Sequence, residues 1–246
     1  CYKGIKIKNF RGTLMLDVKG KNIIIFGFGR CGVSLIKYLH QKGATITVHD
    51  RKTRGELGQS LNLVGKIEFK LNLGRTTAET FAGADLVIVS NSIKWNLAEL
   101  QQVRNSGIPM MYELEFAFQV LENRPKTLLV TGYVGKSSTA YMLSEVLKKT
   151  NKNVFLQGEL GFPLTEACLS PNKFDALILD CSHTLIGLCP SVKANALIIT
   201  NTQNQVLIDD LRKVLAALES NSVMIINQED ETCRLIGADY TGRLLR

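Results

Sequence analysis

From Asn22 onward, short continuous apolar runs alternate with stretches of helical period. Asn22–Phe26 (NIIIF), Thr45–His49 (TITVH), Lys66–Lys70 (KIEFK), Asp85–Val89 (DLVIV) and Pro109–Tyr112 read as strands. Val33–Gln41 and Leu97–Arg104 read as helices between them. Strands that are apolar along their whole length predict a parallel sheet covered on both faces. Around Leu121–Lys126 (LENRPK) the chain turns polar and carries Pro125, and there the pattern predicts a domain boundary. The alternation then restarts. Thr127–Thr131, Asn153–Gln157, Ala176–Asp180, Ala196–Thr200 and Val223–Asn227 read as strands, and Ser138–Lys149 reads as a helix. The fold class is α/β, with two successive parallel-sheet domains over 21–124 and 125–246. Residues 1–20 form an irregular or strand-like arm. No fixed-period repeat or low-complexity segment interrupts the pattern. The stretch after the last strand leaves no room for a third domain.

Composition narrows the class. The chain has 246 residues, 45% hydrophobic and 21% charged, too apolar for a disordered segment. No apolar run is long enough to span a membrane, so none is expected to insert. No charged segment followed by an apolar one opens the chain, so a retained secretion signal is not expected. Lys and Arg (30) exceed Asp and Glu (22), giving +8. The positives are scattered, with few aromatics between them, which argues against nucleic acid and suits anionic ligands such as phosphates. The longest basic cluster is Arg51-Lys52-Thr53-Arg54. Cysteines 1, 31, 168, 181, 189 and 233 form no C-x-x-C pair, and with three histidines they predict no zinc site. They read as buried or incidental thiols of a reducing cytosol.

Two glycine-rich turns carry the candidate chemistry. Gly27-Phe28-Gly29-Arg30-Cys31-Gly32 follows a strand and opens a helix. Its glycines permit a tight turn and let backbone N–H groups approach a phosphate at the helix N-terminus. Asp50 closes the next strand, where an acid meets a ribose hydroxyl in dinucleotide sites. The same geometry suits any nucleotide, or a tight turn that binds none. The second turn, Thr131-Gly132-Tyr133-Val134-Gly135-Lys136-Ser137-Ser138, has Val130 where the longer phosphate-loop pattern has its first glycine. It fits the shorter G-x-x-G-K-[ST] form. Backbone amides would cradle phosphates, Lys136 would reach the outer ones, and Ser137 would ligate Mg²⁺. Asp180 ends a strand one crossover away, where a Mg²⁺-coordinating acid belongs.

These turns, with IIIFGFGRCGVSLIKYLHQKGATITVHDRKT, GADLVIVSNSI, GIPMMYELEFAF, TLLVTGYVGKSSTAYMLSEVLKK and VMIINQED in this order, resemble the Mur ligases. The D-glutamate-adding members are the most similar, and the likeness runs from about Lys21 to about Asp230. The resemblance implies a Rossmann-like first domain that holds the UDP part of the substrate rather than NAD. It implies a phosphate-loop central domain for ATP and Mg²⁺, and a cytoplasmic monomer. The implied reaction adds D-glutamate to UDP-N-acetylmuramoyl-L-alanine through an acyl phosphate. In the family a third domain, absent from this chain, brings the amino acid.

By resemblance, Gly29, Arg30 and Cys31 lie by the uridine diphosphate, and Asp50, Arg51 and Lys52 contact the uracil and neighbouring phosphates. Ser92 and Glu159 fall in the substrate turns. Gly132, Gly135, Lys136, Ser137, Ser138 and Asn201 bind ATP. Ser137 and Asp180 hold the metal. Lys136, Asp180 and Ser182 form the catalytic set.

The departures are specific. Tyr133-Val134 replaces a polar pair inside the phosphate loop. Glu159-Leu160-Gly161 replaces Asn-Ile-Gly, putting a negative charge where anions bind. Ser90-Asn91-Ser92-Ile93 replaces Ser-Pro-Gly-Ile, and His183 replaces the second serine after Asp180. Thr202-Gln203-Asn204-Gln205-Val206 follows Asn201 without the family's Asp-His pair. The carbamylated lysine falls near Val214, with Lys213 one residue off. These changes open a second reading, a catalytically impaired nucleotide- or UDP-sugar-binding or scaffold relative. A nicotinamide-dependent oxidoreductase built on the first turn would leave the second turn without a role. His40 reads as a partner of its helix C-terminus, and His49, Trp95 and Met110-Met111 read as packing.

Overall fold

A computed structural model describes residues 7–10, 13–203 and 206–246, with side chains from Leu16 onward except Ala78. The chain divides into two compact units, residues 1–122 with 163–169, and residues 123–162 with 170–246.

In the first unit β1 (Ile7–Phe10) and β2 (Thr13–Leu16) pair antiparallel, so the described part of the expected arm is a hairpin. Leu16 at its end and Val18 just beyond it belong to the unit's core. The sheet contains β3 (Asn22–Phe26), β4 (Thr45–Asp50), β5 (Lys70–Leu73), β6 (Leu86–Val89) and β7 (Met110–Tyr112), in the order β5-β4-β3-β6-β7. Every pairing in it is parallel. Helices α1 (Arg30–Gln41), α2 (Gly58–Val64), α3 (Ala98–Asn105) and α4 (Glu113–Val120) accompany it, with a 3₁₀ turn over Ala78–Phe81. Ile23, Ile24, Ile25 and Phe26 are all buried, which explains why the run is apolar at consecutive positions.

The expected strand Lys66–Lys70 lies later, at Lys70–Leu73. Its alternation of Ile67, Phe69, Leu71 and Leu73 extends past Lys70, but only Lys70–Leu73 lies opposite Thr47–Asp50. Helix α4 is missing from the periodicity reading because nearly all of it is buried. Glu113, Leu114, Glu115, Phe116, Ala117, Phe118 and Val120 leave no polar face to give a period.

The second unit contains β8 (Lys126–Thr131), α5 (Lys136–Lys149), β9 (Val154–Gln157) and β10 (Ala176–Asp180). α7 (His183–Gly187), β11 (Ala194–Ile199), α8 (Ile208–Leu215), β12 (Leu218–Ile226), α9 (Glu231–Ala238) and β13 (Arg243–Leu245) complete it. α6 (Leu164–Leu169) follows β9 in the chain but belongs to the first unit, where it packs on α1 and α4. The parallel sheet runs β13-β12-β11-β8-β10-β9. α7, with five residues, is too short to show a period; α8 and α9 are as long as α3 but were not read from the sequence.

The order in each sheet fixes where a ligand can meet it. From β3 the chain moves outward through β4 and β5, then returns to the other side for β6 and β7. From β8 it builds β9 and β10 on one side, then crosses to β11 on the other. Each glycine turn therefore leaves the central strand at a topological switch point, where open α/β sheets bind ligands beyond the strand carboxyl ends.

Asp230, which caps α9, also ties that helix to the segment after β11. Its carboxylate accepts from Cys233 N (3.0 Å), Thr202 N (2.7 Å), Thr202 Oγ1 (2.8 Å) and Gln203 N (3.2 Å). Burial pushes the carboxyl up, but these donors outweigh it and hold the group at about 2, below an ordinary 3.8. The stabilisation is therefore present above the unfolded value and lost as pH falls through the folded one. Asp230→Ala should cost on the order of 1 kcal/mol at neutral pH, allowing for solvent screening. In urea melts the gap between wild type and variant should close between about pH 4 and about pH 2. A gap that does not change with pH would show that the carboxylate charge contributes nothing.

Candidate functional site

In the first unit the turn after β3 is held by backbone and by one carboxylate. Gly27 N donates to His49 O (2.8 Å), and Phe28 N donates to Asp50 Oδ2 (2.7 Å). Asp50 Oδ1 accepts from Lys52 N (2.9 Å). Asp50 thus joins the end of β4 to the glycine turn, and both its oxygens already hold backbone amides. A Cβ on Gly32 would collide with the Gly27 carbonyl oxygen, so only glycine lets α1 start this close to the strand end. Gly29 caps α1 without a side-chain acceptor, and no acid sits in the first turn. The helix N-terminus turns its positive dipole end toward the glycine turn, an element of an anion site.

Arg30 opens α1. Cys31 is pushed up to about 12 by burial and by the Glu113 charge, which keeps its thiol neutral. Arg51 pairs with Glu99, while Lys52 and Ser92 are exposed. His49 stacks on Phe26 at 5.1 Å, meets Thr76 Oγ1 at 2.8 Å through Nε2, and is lowered by burial. Trp95 packs on the Tyr112 ring (5.2 Å) under the Arg104 guanidinium. These two residues pack, as their sequence settings suggest. Met111 is buried and Met110 partly so.

The second unit presents the phosphate-loop sequence between β8 and α5. Gly132 has φ +136°, and a Cβ there would strike the Thr200 hydroxyl and lie 2.9 Å from Asn201 O. Tyr133 N donates to Asn201 O (2.8 Å). Val134 N donates to Asn201 Oδ1 (3.1 Å), and Val134 O accepts from Asn201 Nδ2 (2.8 Å) and Thr200 Oγ1 (2.7 Å). The Asn201 side chain therefore pairs with the loop as a second backbone would. Expected as an ATP contact, it has both its polar atoms on the loop instead. Tyr133 and Val134 leave about half their surface exposed, at 49% and 51%.

Gly135, in the left-handed region, turns the chain into α5, whose first turn has no acid. The first-turn amides of Lys136, Ser137 and Ser138 have no intrahelical acceptor and remain the loop's donors for an anion. Lys136 Nζ lies 3.4 Å from Tyr133 O. The Ser137 hydroxyl donates to Asp180 Oδ2 at 2.6 Å and lies 3.4 Å from Glu159 Oε2.

Glu159, expected among the UDP-substrate contacts, thus stands beside the phosphate-loop serine. Gly158, with φ +132°, brings it there. Ser182, expected in the catalytic set, caps α7 by accepting from Leu185 N at 3.2 Å. Lys213 lies exposed on α8, paired with Asp210 at 2.7 Å, while Val214 is buried.

Ser137 and Asp180 fit Mg²⁺ as hard oxygen donors, of the kind that supplement phosphate oxygens and water. Among the described residues no cluster of three or more His, Cys, Asp or Glu side chains could hold a metal ion alone. Sequence reasoning missed Asp230, although an acid just before an apolar helical stretch is a capping signal. It also missed Asn91 and Glu113, which lie inside quoted motif stretches but bond across the fold.

Residues 21–112 match the family model described as Mur ligase MurD-like, N-terminal domain. The UDP-N-acetylmuramoylalanine–D-glutamate ligase of Myxococcus xanthus is 29% identical over 227 residues, covering 92% of this chain and 49% of the relative. That of Alkaliphilus metalliredigens is 30% identical over 169 residues, covering 68% and 37%. The chain belongs to the Mur ligase family. It spans about half the length, or less, of these relatives.

Solved Mur ligases share the fold. The UDP-N-acetylmuramate:L-alanyl-gamma-D-glutamyl-meso-diaminopimelate ligase from Neisseria meningitides aligns with a TM-score of 0.63 at 15% identity, covering 91% of this chain and 76% of that one. MurC, the UDP-N-acetylmuramate-alanine ligase of Thermotoga maritima, aligns at 0.56 with 19% identity, covering 88% and 51%.

Asn201→Ala should free the Tyr133–Val134 segment of this Mur ligase chain. Amide hydrogen exchange at Val134 should rise by roughly tenfold or more, and thermal stability should fall by about 1–2 kcal/mol. Unchanged exchange at Val134 would mean that the Asn201 amide does not hold the loop.

Proposed function

We propose that this chain is the UDP-substrate- and ATP-binding portion of an ATP-dependent amide ligase of peptidoglycan-precursor synthesis. The acceptor reaction adds D-glutamate to UDP-N-acetylmuramoyl-L-alanine. The observation that carries the ligase reading is the Ser137–Asp180 pair at 2.6 Å, beside Lys136 at the α5 N-terminus. Hydroxyl, carboxylate, ammonium and first-turn amides there form a set suited to a magnesium-bound polyphosphate. Lys136 would neutralise phosphate charge, and Ser137 and Asp180 would hold Mg²⁺. ATP supplies the phosphoryl group that turns a carboxylate, a poor electrophile, into an acylating agent.

The D-glutamate assignment rests on the names of the sequence relatives. The structural neighbours include ligases that act on other substrates. UDP-sugar binding is assigned to the glycine turn of the first unit, around Gly29, Arg30, Cys31, Asp50, Arg51, Lys52 and Ser92. The reading puts the protein in the cytoplasm as a monomer. Among the described residues no helix is long and apolar enough to cross a membrane.

A second reading, binding without turnover, is favoured by the loop itself. Two of its amides, Tyr133 N and Val134 N, already donate to Asn201, and Glu159 brings negative charge beside Ser137. Calorimetric titration of Mg²⁺-ATP into wild type and Lys136→Ala tests the phosphate loop. The ligase reading expects binding that the variant weakens by about a hundredfold. Equal binding by both, or by neither, would sink it. ADP release dependent on UDP-muramoyl-alanine, absent from Lys136→Ala, would exclude the second reading.

A further inference from the structure

Glu113 opens α4 with its side chain wholly buried. Oε1 accepts from Thr165 N (2.7 Å) and Thr165 Oγ1 (2.6 Å), and Oε2 accepts from Asn91 Nδ2 (2.6 Å). Burial pushes the carboxyl up, and the three donors work against that push. The orientation of Asn91 is set independently, because its Oδ1 accepts from Leu114 N (3.0 Å) and so directs its NH₂ group toward the carboxylate. Asn91 thereby caps α4 from a distant loop, where Tyr112, the residue before the helix, provides no side-chain cap.

Asn91 lies in the turn Ser90–Ile93, and that turn packs against the glycine turn. Ser90 Oγ donates to Gly27 O (3.0 Å), and a Cβ on Gly27 would lie 2.8 Å from both Ser90 Oγ and Ile93 Cδ1. Tyr112 Oη also donates to Ile93 O (2.7 Å). Ser92 stands exposed between these anchored neighbours.

We propose that Glu113 is a positioning residue for nucleotide binding at the first unit's glycine turn. By fixing Asn91 it sets the Ser90–Ile93 turn against Gly27–Gly32, where a uridine diphosphate group would lie. The inference rests on the assignment of that turn to UDP-sugar binding.

A buried carboxylate is a costly way to fill a core, and a neutral isostere would serve if filling were the only task. Here the isostere fails on polarity. In glutamine one end is a donor. Facing Asn91 it meets the NH₂ group, and facing Thr165 it meets the backbone N–H. Only an acceptor at both ends satisfies the network as built. Polarity can be restored by exchange. With Glu113→Gln and Asn91→Asp together, the new NH₂ group donates to the new carboxylate. The other carboxylate oxygen still accepts from Leu114 N.

The test is calorimetric titration of UDP into wild type, Glu113→Gln, the Glu113→Gln/Asn91→Asp double variant and Thr165→Val. Glu113→Gln should weaken UDP binding by about tenfold or more, and the double variant should recover to within about threefold of wild type. Thr165→Val, which removes a donor on the side away from the turn, should lower the melting temperature and leave UDP affinity unchanged. Mg²⁺-ATP affinity should not change in any of them. UDP affinity that is unchanged in Glu113→Gln would overturn the proposal and leave the UDP assignment standing. A UDP affinity that falls in Thr165→Val in step with its melting temperature would overturn it in the same way. A wild type that does not bind UDP would overturn the assignment and the proposal with it. If Glu113→Gln does not fold, Asn91→Ala, which keeps the Thr165 contacts, carries the same expectation of about tenfold weaker UDP binding.

Discussion

Both candidate sites depend on one close approach, that of backbone to backbone at the carboxyl end of a central strand. In the first unit the start of α1 comes so near Gly27 that position 32 has no room for a Cβ. In the second, Gly132 passes under Thr200 and Asn201 with the same absence of space. The approach lets a helix N-terminus face the switch point of its sheet, so that the backbone amides of the turn collect there. Everything else in each site adjusts what those amides can reach. Asp50 takes one of them in the first unit, and Asn201 takes two in the second.

The turn between β8 and α5 draws its hydrogen bonds from outside itself. A bulky, apolar Tyr133-Val134 pair cannot supply side-chain hydrogen bonds to its own turn. The Asn201 amide and the Thr200 hydroxyl supply them from the neighbouring strand end instead. Tyr133 N and Val134 N are thereby already engaged, which leaves the first turn of α5 as the donors for an anion. Glu159 changes the electrostatics in the same direction, standing beside Ser137 and Asp180.

How much was legible in the sequence depended on whether the signal was local. Strands such as Asn22–Phe26 and Ala176–Asp180 declare themselves because a continuous apolar run fits little else of that length. Gly27–Gly32 and Gly132–Ser137 are legible because a turn of fixed geometry needs particular residues at fixed spacing. Helix α4 was not legible by period, since burial on all sides erases the pattern. Glu113, Asn91 and Thr165 were not legible as partners, because their bonds join residues far apart in the chain. Asn201 was legible as a position but not as a role. Its place after β11 follows from the order of elements, whereas its pairing with Val134 depends on how the loop folds over it.

The assignment of α6 to the first unit has a consequence for dividing the molecule. Residues 163–169 are encoded between two strands of the second unit, yet Ser34 bonds Glu166 at 2.6 Å and Thr165 supplies two of the three donors on Glu113. The first unit is therefore not a contiguous gene segment. A fragment ending at Glu122 would carry a sealed-in negative charge stripped of most of its partners. It would also bare the side of the first unit's core that Cys168 and Leu169 cover. Domain shuffling by simple truncation is closed to this architecture. A transplant of the first unit would have to bring the short helix with it, joined by a new linker.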